Sequence, residues 1–355
     1  MPFPSPELPE PVARLLASGT VIPAHPLALD AEGRFDPRHM RALTRYYLDA
    51  GAGGLAVGVH TTQFAIREAG LYRPVLAEVM ATVRDWTETP RVMIAGLCGP
   101  TRQAVAEAAV ARDLGYHAGL LSLAALRDAG EEDLVAHCRE VAAVLPLVGF
   151  YLQPAVGGVR LSASFWRRFL ALDRVVAVKV APFDRYATLE VLEGMVAAGA
   201  EARVALYTGN DDHIVPDLLL PFRLRRNGTE VELRFVGGLL GHWAVWTERA
   251  VDLHRRCRRA AARAEVPADL LALDAPVTAM NAALFDVANG FAGCIAGIQY
   301  VLWRQGLLAS PRCLDPKERL SPGQAEAIDR VRRLWPELLD DAFVTAHRTR
   351  WLAGS

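Results

Sequence analysis

Lys179 is the residue most out of keeping with its surroundings: it lies in Val175-Val176-Ala177-Val178-Lys179-Val180, where every other member is apolar. An ammonium group in such a strand is strongly disfavoured unless it is paired or loses its proton. A neutral amine is a nucleophile, and forming an imine with a ketone is the chemistry open to it. Spacing alone leaves two readings: an imine-forming lysine, or one salt-bridged at the mouth of the fold. Tyr151 tips the balance towards the first. It ends the preceding apolar run, Val148-Gly149-Phe150-Tyr151-Leu152-Gln153-Pro154, so its phenol is expected to face Lys179 across neighbouring strands and shuttle protons. Its other reading is a packing residue.

The elements that must carry these two side chains are short β-branched runs alternating with longer amphipathic stretches, the pattern of βα units on a parallel sheet. Strands are expected at residues 20–22, 54–59, 92–96, 119–123, 148–153, 175–180, 204–207 and 234–238. Between them lie helical stretches such as 101–114, with Val105, Ala109 and Leu114 on one stripe. Asp36-Pro37 and Gly99-Pro100-Thr101 read as helix starts. Eight βα repeats favour a (β/α)8 TIM barrel, an α/β fold, over a doubly wound sheet. Asn227-Gly228 between two alternating runs predicts a type I′ β-hairpin inserted near 222–235, the eighth strand continuing from its second arm. The barrel is expected over 1–264 and a C-terminal helical extension packed on it over 265–355.

With 355 residues, 52% hydrophobic and 22% charged, the chain can bury a large core. A net charge of −1 gives no basic field for phosphate backbones, so no nucleic-acid partner is expected, and Arg255, Arg256, Arg258 and Arg259 read as a solvated helix face. Five scattered cysteines with no CxxC pair, and a Met1–Pro6 run without a basic or apolar leader, point to a reducing, cytoplasmic setting. The sequon Asn227-Gly228-Thr229 is expected to be empty there. Residues 278–303 are interrupted by Asn281, Asp286 and Asn289, so they read as a buried helix and no membrane association is expected. His60, His213 and His242 lie on three separate segments without an i, i+4 pair, so no metal site is expected.

These residues resemble the dihydrodipicolinate synthase and N-acetylneuraminate lyase superfamily of class I, Schiff-base aldolases. The family's Tyr-x-x-Pro strand, followed by a strand ending in the Schiff-base lysine, is similar to Tyr151-Leu152-Gln153-Pro154 followed by Lys179. The continuation Ala155-Val156-Gly157-Gly158-Val159-Arg160-Leu161-Ser162 is closer to the lyase form. The Gly-Thr-Thr-Gly-Glu loop that holds the keto-acid carboxylate aligns with Val59-His60-Thr61-Thr62-Gln63-Phe64, where only Thr61 matches outright. Gly209-Asn210-Asp211-Asp212 is similar to the lyases' Gly-x-Asp-Glu, and Gly306-Leu307 and Cys313-Leu314-Asp315 to the terminal helices and their connector.

The resemblance implies a lyase or aldolase acting on pyruvate or another 2-keto or sugar acid, with no organic cofactor beyond a covalent imine on Lys179. Tyr151 would move protons through Thr61, His60 to Gln63 would hold the carboxylate, and Gly209, Asp211, Asp212 and His242 would meet the distal part. A small-molecule keto acid is the expected partner, and a homo-oligomer, dimer or tetramer, the expected assembly. Two departures limit the match. The family's tyrosine pair after strand four is replaced by Leu121-Ser122-Leu123-Ala124-Ala125, and no arginine follows Tyr151 at the synthase spacing, Arg160 being too far along. Dihydrodipicolinate synthesis is therefore not expected. A dehydratase of the same superfamily, or a barrel that binds keto or sugar acids without turnover, are the alternatives.

Overall fold

A computed structural model describes residues 8–263 and 265–354; the Met1–Pro6 run and residue 264, at the expected domain boundary, lie outside the described residues. Eight parallel strands form one sheet: β1 (Val21–Pro23), β2 (Gly54–Val57), β3 (Val92–Leu97), β4 (Ala118–Leu121), β5 (Leu147–Leu152), β6 (Val175–Ala181), β7 (Ala205–Thr208) and β10 (Phe235–Leu240). The order β1-β10-β7-β6-β5-β4-β3-β2 curls until the ends meet, where Ala24 bridges Ala56 and His25 N–H donates to Ala56 O at 2.8 Å. Closure excludes the doubly wound alternative. The hairpin is present as β8 (Phe222–Arg226) and β9 (Thr229–Leu233), antiparallel around Asn227 and Gly228, both at positive φ as a type I′ turn requires. Only Arg234 separates it from β10.

A helix follows each barrel strand, and several start where the sequence marks them. Pro37–Asp49 begins on Asp36, whose carboxylate accepts from His39 N–H at 3.1 Å, and Thr101–Leu114 ends at Gly115 with φ 92°. One core lies between strands and helices; another fills the barrel with Ile22, Ala56, Ile94, Leu120, Val148, Phe150, Tyr207 and Leu239. The helix Glu10–Ser18, which the sequence pattern did not announce, joins that inner core through Val12, Ala13 and Leu16. Its last turn accepts the Tyr207 hydroxyl on Leu16 O at 2.8 Å, so the end of the barrel away from the strand C-termini is plugged.

Past Ala261 the chain is helical again, including Asp274–Leu284, Cys294–Arg304, Gln324–Leu334 and Asp341–Leu352. Buried polar ties hold these helices to the barrel. Asp340 accepts from Tyr46 Oη at 2.7 Å, and Gln299 Nε2 donates to Leu27 O at 2.8 Å. No described helix is long and apolar enough to cross a membrane.

Two departures from the expected strands shape the site. β2 stops at Val57, two residues early, because Gly58 turns at φ 76° and gives its N–H to Thr62 Oγ1 at 2.9 Å. The second is a bulge: Leu147 pairs with Val175, but Val148 pairs with Ala177, so β6 carries one extra residue. Without it Tyr151 would stand opposite Lys179. With it, Phe150 does, and side-chain alternation sends Tyr151 to the other face of the sheet.

Candidate active site

At the C-terminal ends of the strands a small pocket opens, at the position where this architecture presents its loops. Its floor is Lys179, paired in register with Phe150 on one side and Tyr207 on the other. Nζ lies 4.6 Å from the centre of the Phe150 ring, and the lysine has no hydrogen bond or ion pair among the described residues. Burial lowers the amine from 10.5 to about 8, with the charges of Asp211 and Cys294 pulling the other way. The side chain reaches the pocket because residue 209 is glycine: a Cβ there would sit 2.7 Å from Lys179 Cε and 2.7 Å from Ala181 Cβ.

Asp211 follows on the same loop. Its Oδ1 accepts the His242 backbone N–H at 2.9 Å, and its own N–H bonds to Gly209 O at 3.1 Å. Burial is the main cause that lifts its carboxyl to about 7, opposed by the His242 N–H and Lys179. His60 and Thr61 come from the short helical turn His60–Thr62 after β2. Burial first, then Lys179, hold the His60 imidazole near 4, so it is neutral at neutral pH. The opening N–H groups of such a turn have no intrahelical acceptor and are free for an anion.

Lys179, Thr61, His60, Gly209 and Asp211 are thus brought together; the other expected residues are not. Tyr151 lies in the strand–helix layer, its ring 5.6 Å from that of Trp166 and its hydroxyl accepting from Leu161 N–H at 3.2 Å. It cannot shuttle protons to Lys179, which corrects the expectation from the Tyr-x-x-Pro pattern. Thr62 is structural, donating to His25 O at 2.6 Å while it accepts from Gly58. Gln63, at a left-handed φ of 70°, turns away from the pocket to accept Leu314 N–H at 2.6 Å, tying the loop to the C-terminal connector. Asp212 is exposed and outside the pocket. The His242 ring points elsewhere, and only its backbone serves the site, by holding Asp211.

Sequence reasoning missed the aromatic walls Phe150, Phe183 and Phe285, and also Gln153 and Cys294. Phe150 was one step of strand parity away. Phe183, at φ 52°, gives its N–H to Asn210 Oδ1 at 3.1 Å. Phe285 and Cys294 come from the extension, flanking a loop in which Asp286 accepts from Gly293 N–H at 3.0 Å and Asn289 Nδ2 at 2.7 Å; no local motif marks them.

The model of the dihydrodipicolinate synthetase family matches residues 17–223, more than half of the chain. The chain belongs to that family. It is accordingly an enzyme of the class I aldolase and lyase superfamily. N-acetylneuraminate lyase 2 of Escherichia coli O6:H1 is 22% identical over 325 residues, which is 90% of this chain and 94% of that protein. A probable 5-dehydro-4-deoxyglucarate dehydratase of Delftia acidovorans is 32% identical over 112 residues, 32% of this chain and 36% of that one. Among solved structures, dihydrodipicolinate synthase of Acinetobacter baumannii with pyruvate superimposes with a TM-score of 0.71 at 18% identity, covering 89% of this chain and 98% of the other. At that identity the likeness carries the fold.

Proposed function

We propose that this protein is a Schiff-base-forming lyase that binds pyruvate or another 2-keto acid covalently through Lys179. The observation that carries the reading is the unpartnered Lys179 amine at the floor of the pocket, lowered to about 8 by burial. An amine lowered in this way holds a far larger neutral fraction near neutral pH than an ordinary lysine and can attack a ketone, which a salt-bridged ammonium cannot. The Thr61 hydroxyl, the neutral His60 ring and the open N–H groups of their turn are suited to a carboxylate. The resulting iminium draws electrons from the adjacent carbon, and the enamine it yields serves cleavage, condensation or loss of water alike. The partial match to a dehydratase supports the last as a second reading.

The remaining walls are mostly apolar, with Phe183, Phe285, Val156 and Leu152 beside Gln153 and Cys294. They favour a short or apolar remainder of the substrate over a long polyhydroxylated one. No arginine lines the pocket to receive a second carboxylate; Arg160 is mostly exposed and 3.6 Å from Glu190. That lining weighs against dihydrodipicolinate synthesis as the activity we propose. The test is borohydride reduction in the presence of a panel of 2-keto acids, read by intact mass. A stable single adduct is expected, absent in Lys179→Ala; no adduct with any member, or an adduct that survives the substitution, refutes the reading.

A further inference from the structure

We propose that Asp211 is the proton-transfer partner of Lys179, filling as a carboxyl group the role that a phenol in the pocket would otherwise take. The inference rests on the Schiff-base reading and deepens it. It starts from an opening in the site: the β6 bulge removes Tyr151 from the pocket, and the ring put in its place, Phe150, has no proton to give. Imine formation consumes a proton and enamine formation releases one, so some group beside Lys179 must supply the first and accept the second.

Four pocket residues carry a titratable group: Lys179 itself, His60, Cys294 and Asp211. The Cys294 thiol is held well above its ordinary value by burial and then by the Asp211 charge, so it keeps its proton. His60 is depressed to about 4, a weak base whose acid form is scarce at neutrality. Asp211, raised to about 7, is both a competent acid and a competent base there.

Placement agrees with the chemistry. Gly209 packs directly on the Lys179 side chain, and Asp211 is two residues further along the same turn. The His242 N–H fixes one carboxyl oxygen, which sets the plane of the group and leaves the other oxygen for the pocket. Amine and carboxyl line the same pocket and their charges interact, yet they form no direct ion pair among the described residues. The charged and titratable groups around Asp211 are Lys179 from β6, Asp212 on its own loop, His242 after β10, His60 after β2 and Cys294 from the extension.

The step balances. The neutral amine attacks C2 of the keto acid; the C–N bond forms, and the carbonyl π pair moves to oxygen, which takes the Asp211 proton. A proton then passes from nitrogen to the Asp211 carboxylate and on to the hydroxyl, which leaves as water. The products are a protonated imine on Lys179 and a carboxylate on Asp211, with net charge unchanged. That carboxylate then takes a proton from C3, the C–H pair becomes the enamine double bond, and the imine pair returns to nitrogen.

The test follows the exchange of pyruvate methyl protons with deuterium oxide by NMR, alongside borohydride trapping, in the full-length chain and its Asp211→Asn and Asp211→Glu variants. Asp211→Asn keeps the shape and the acceptor for the His242 N–H but has no proton to exchange. It is expected to lower the exchange rate about 10²- to 10⁴-fold. It should also remove the pH dependence near 7, while trapping still reaches completion more slowly. Asp211→Glu is expected to restore part of the rate. Exchange in Asp211→Asn at the wild-type rate and with the wild-type pH profile would overturn the inference while leaving Lys179 as the imine former. So would a loss confined to KM, the mark of a residue that only binds substrate. Failure of the wild type to trap or exchange any keto acid would instead overturn the Schiff-base reading, and this inference with it.

Discussion

Two clusters of buried charge lie on either side of the β7 loop, and they are built on opposite principles. Behind the loop, Asp217 is completely buried and saturated: Oδ1 accepts from Arg185 at 2.6 Å, and Oδ2 accepts from Thr208 Oγ1 at 2.6 Å and Asn210 Nδ2 at 3.0 Å. Arg185 also reaches Thr188 Oγ1 at 3.1 Å, and Asn210 caps the Phe183 N–H. In front of the loop, among the described residues, Lys179 has no such partner and Asp211 has only one donor at its carboxylate, the His242 N–H. Satisfied buried charge makes scaffold, and unsatisfied buried charge is left available for a ligand. Position along the sequence does not separate the two kinds, since Asn210 and Asp211 are neighbours.

The largest effects are expected at the lysine. Lys179→Met should abolish turnover and yet raise the thermal midpoint, because it replaces an unpartnered buried amine with an apolar chain of similar length. The wild-type amine is depressed to about 8 from 10.5, so the unfolded chain holds more protons between those values. Raising the pH through that window should therefore stabilise the wild type relative to Lys179→Met. A variant less stable than the wild type at pH 7 would show that Lys179 is part of the scaffold.

Asp217→Ala should do the reverse. Removing it strands the Thr208, Asn210 and Arg185 donors, and since Arg185 is partly exposed and can turn to water, the loss in a urea titration should be about 2–4 kcal/mol. Imine trapping at low temperature should survive. Gly209→Ala tests the boundary between the clusters. The new methyl would displace Lys179 Cε, and turnover should fall roughly 10²-fold with little change in the unfolding midpoint. The smallest effect belongs to Tyr151→Phe: unchanged turnover, and a stability loss of about 1 kcal/mol as Leu161 N–H loses its acceptor.

The barrel was legible because eight β-branched runs alternate along the chain with amphipathic stretches, and the Asn227-Gly228 turn announces its own hairpin. Lys179 was legible as a charge in an apolar strand. Tyr151 was misplaced for a definite reason: counting residues between strands presumes an unbroken register, and the extra residue at Val176 reverses the parity of everything after it. The aromatic residues from the extension were not legible at all. Phe285 and Cys294 reach the site only through the packing of helices that lie far from β6 in sequence, and no local pattern encodes that docking. His242 was found by residue type, yet what it contributes is a backbone N–H that any residue but proline would supply.

The strand order has a consequence for how the chain is made. β1 pairs in register with β10 along its length, and on the β2 side it is held only at its two ends, by Gly53 N–H donating to Val21 O at 3.1 Å and by the bridge of Ala24 and Ala56. A ribosome must therefore deliver residues 235–240 before the first strand gains its principal neighbour. Until then β2 and β7 are raw edges, with rows of unpaired N–H and C=O groups beside a half-formed apolar interior. Nascent chains halted ahead of residue 235 are the species that chaperones would be expected to hold, and truncations there should collect in inclusion bodies, whereas chains released after residue 240 can shut the ring.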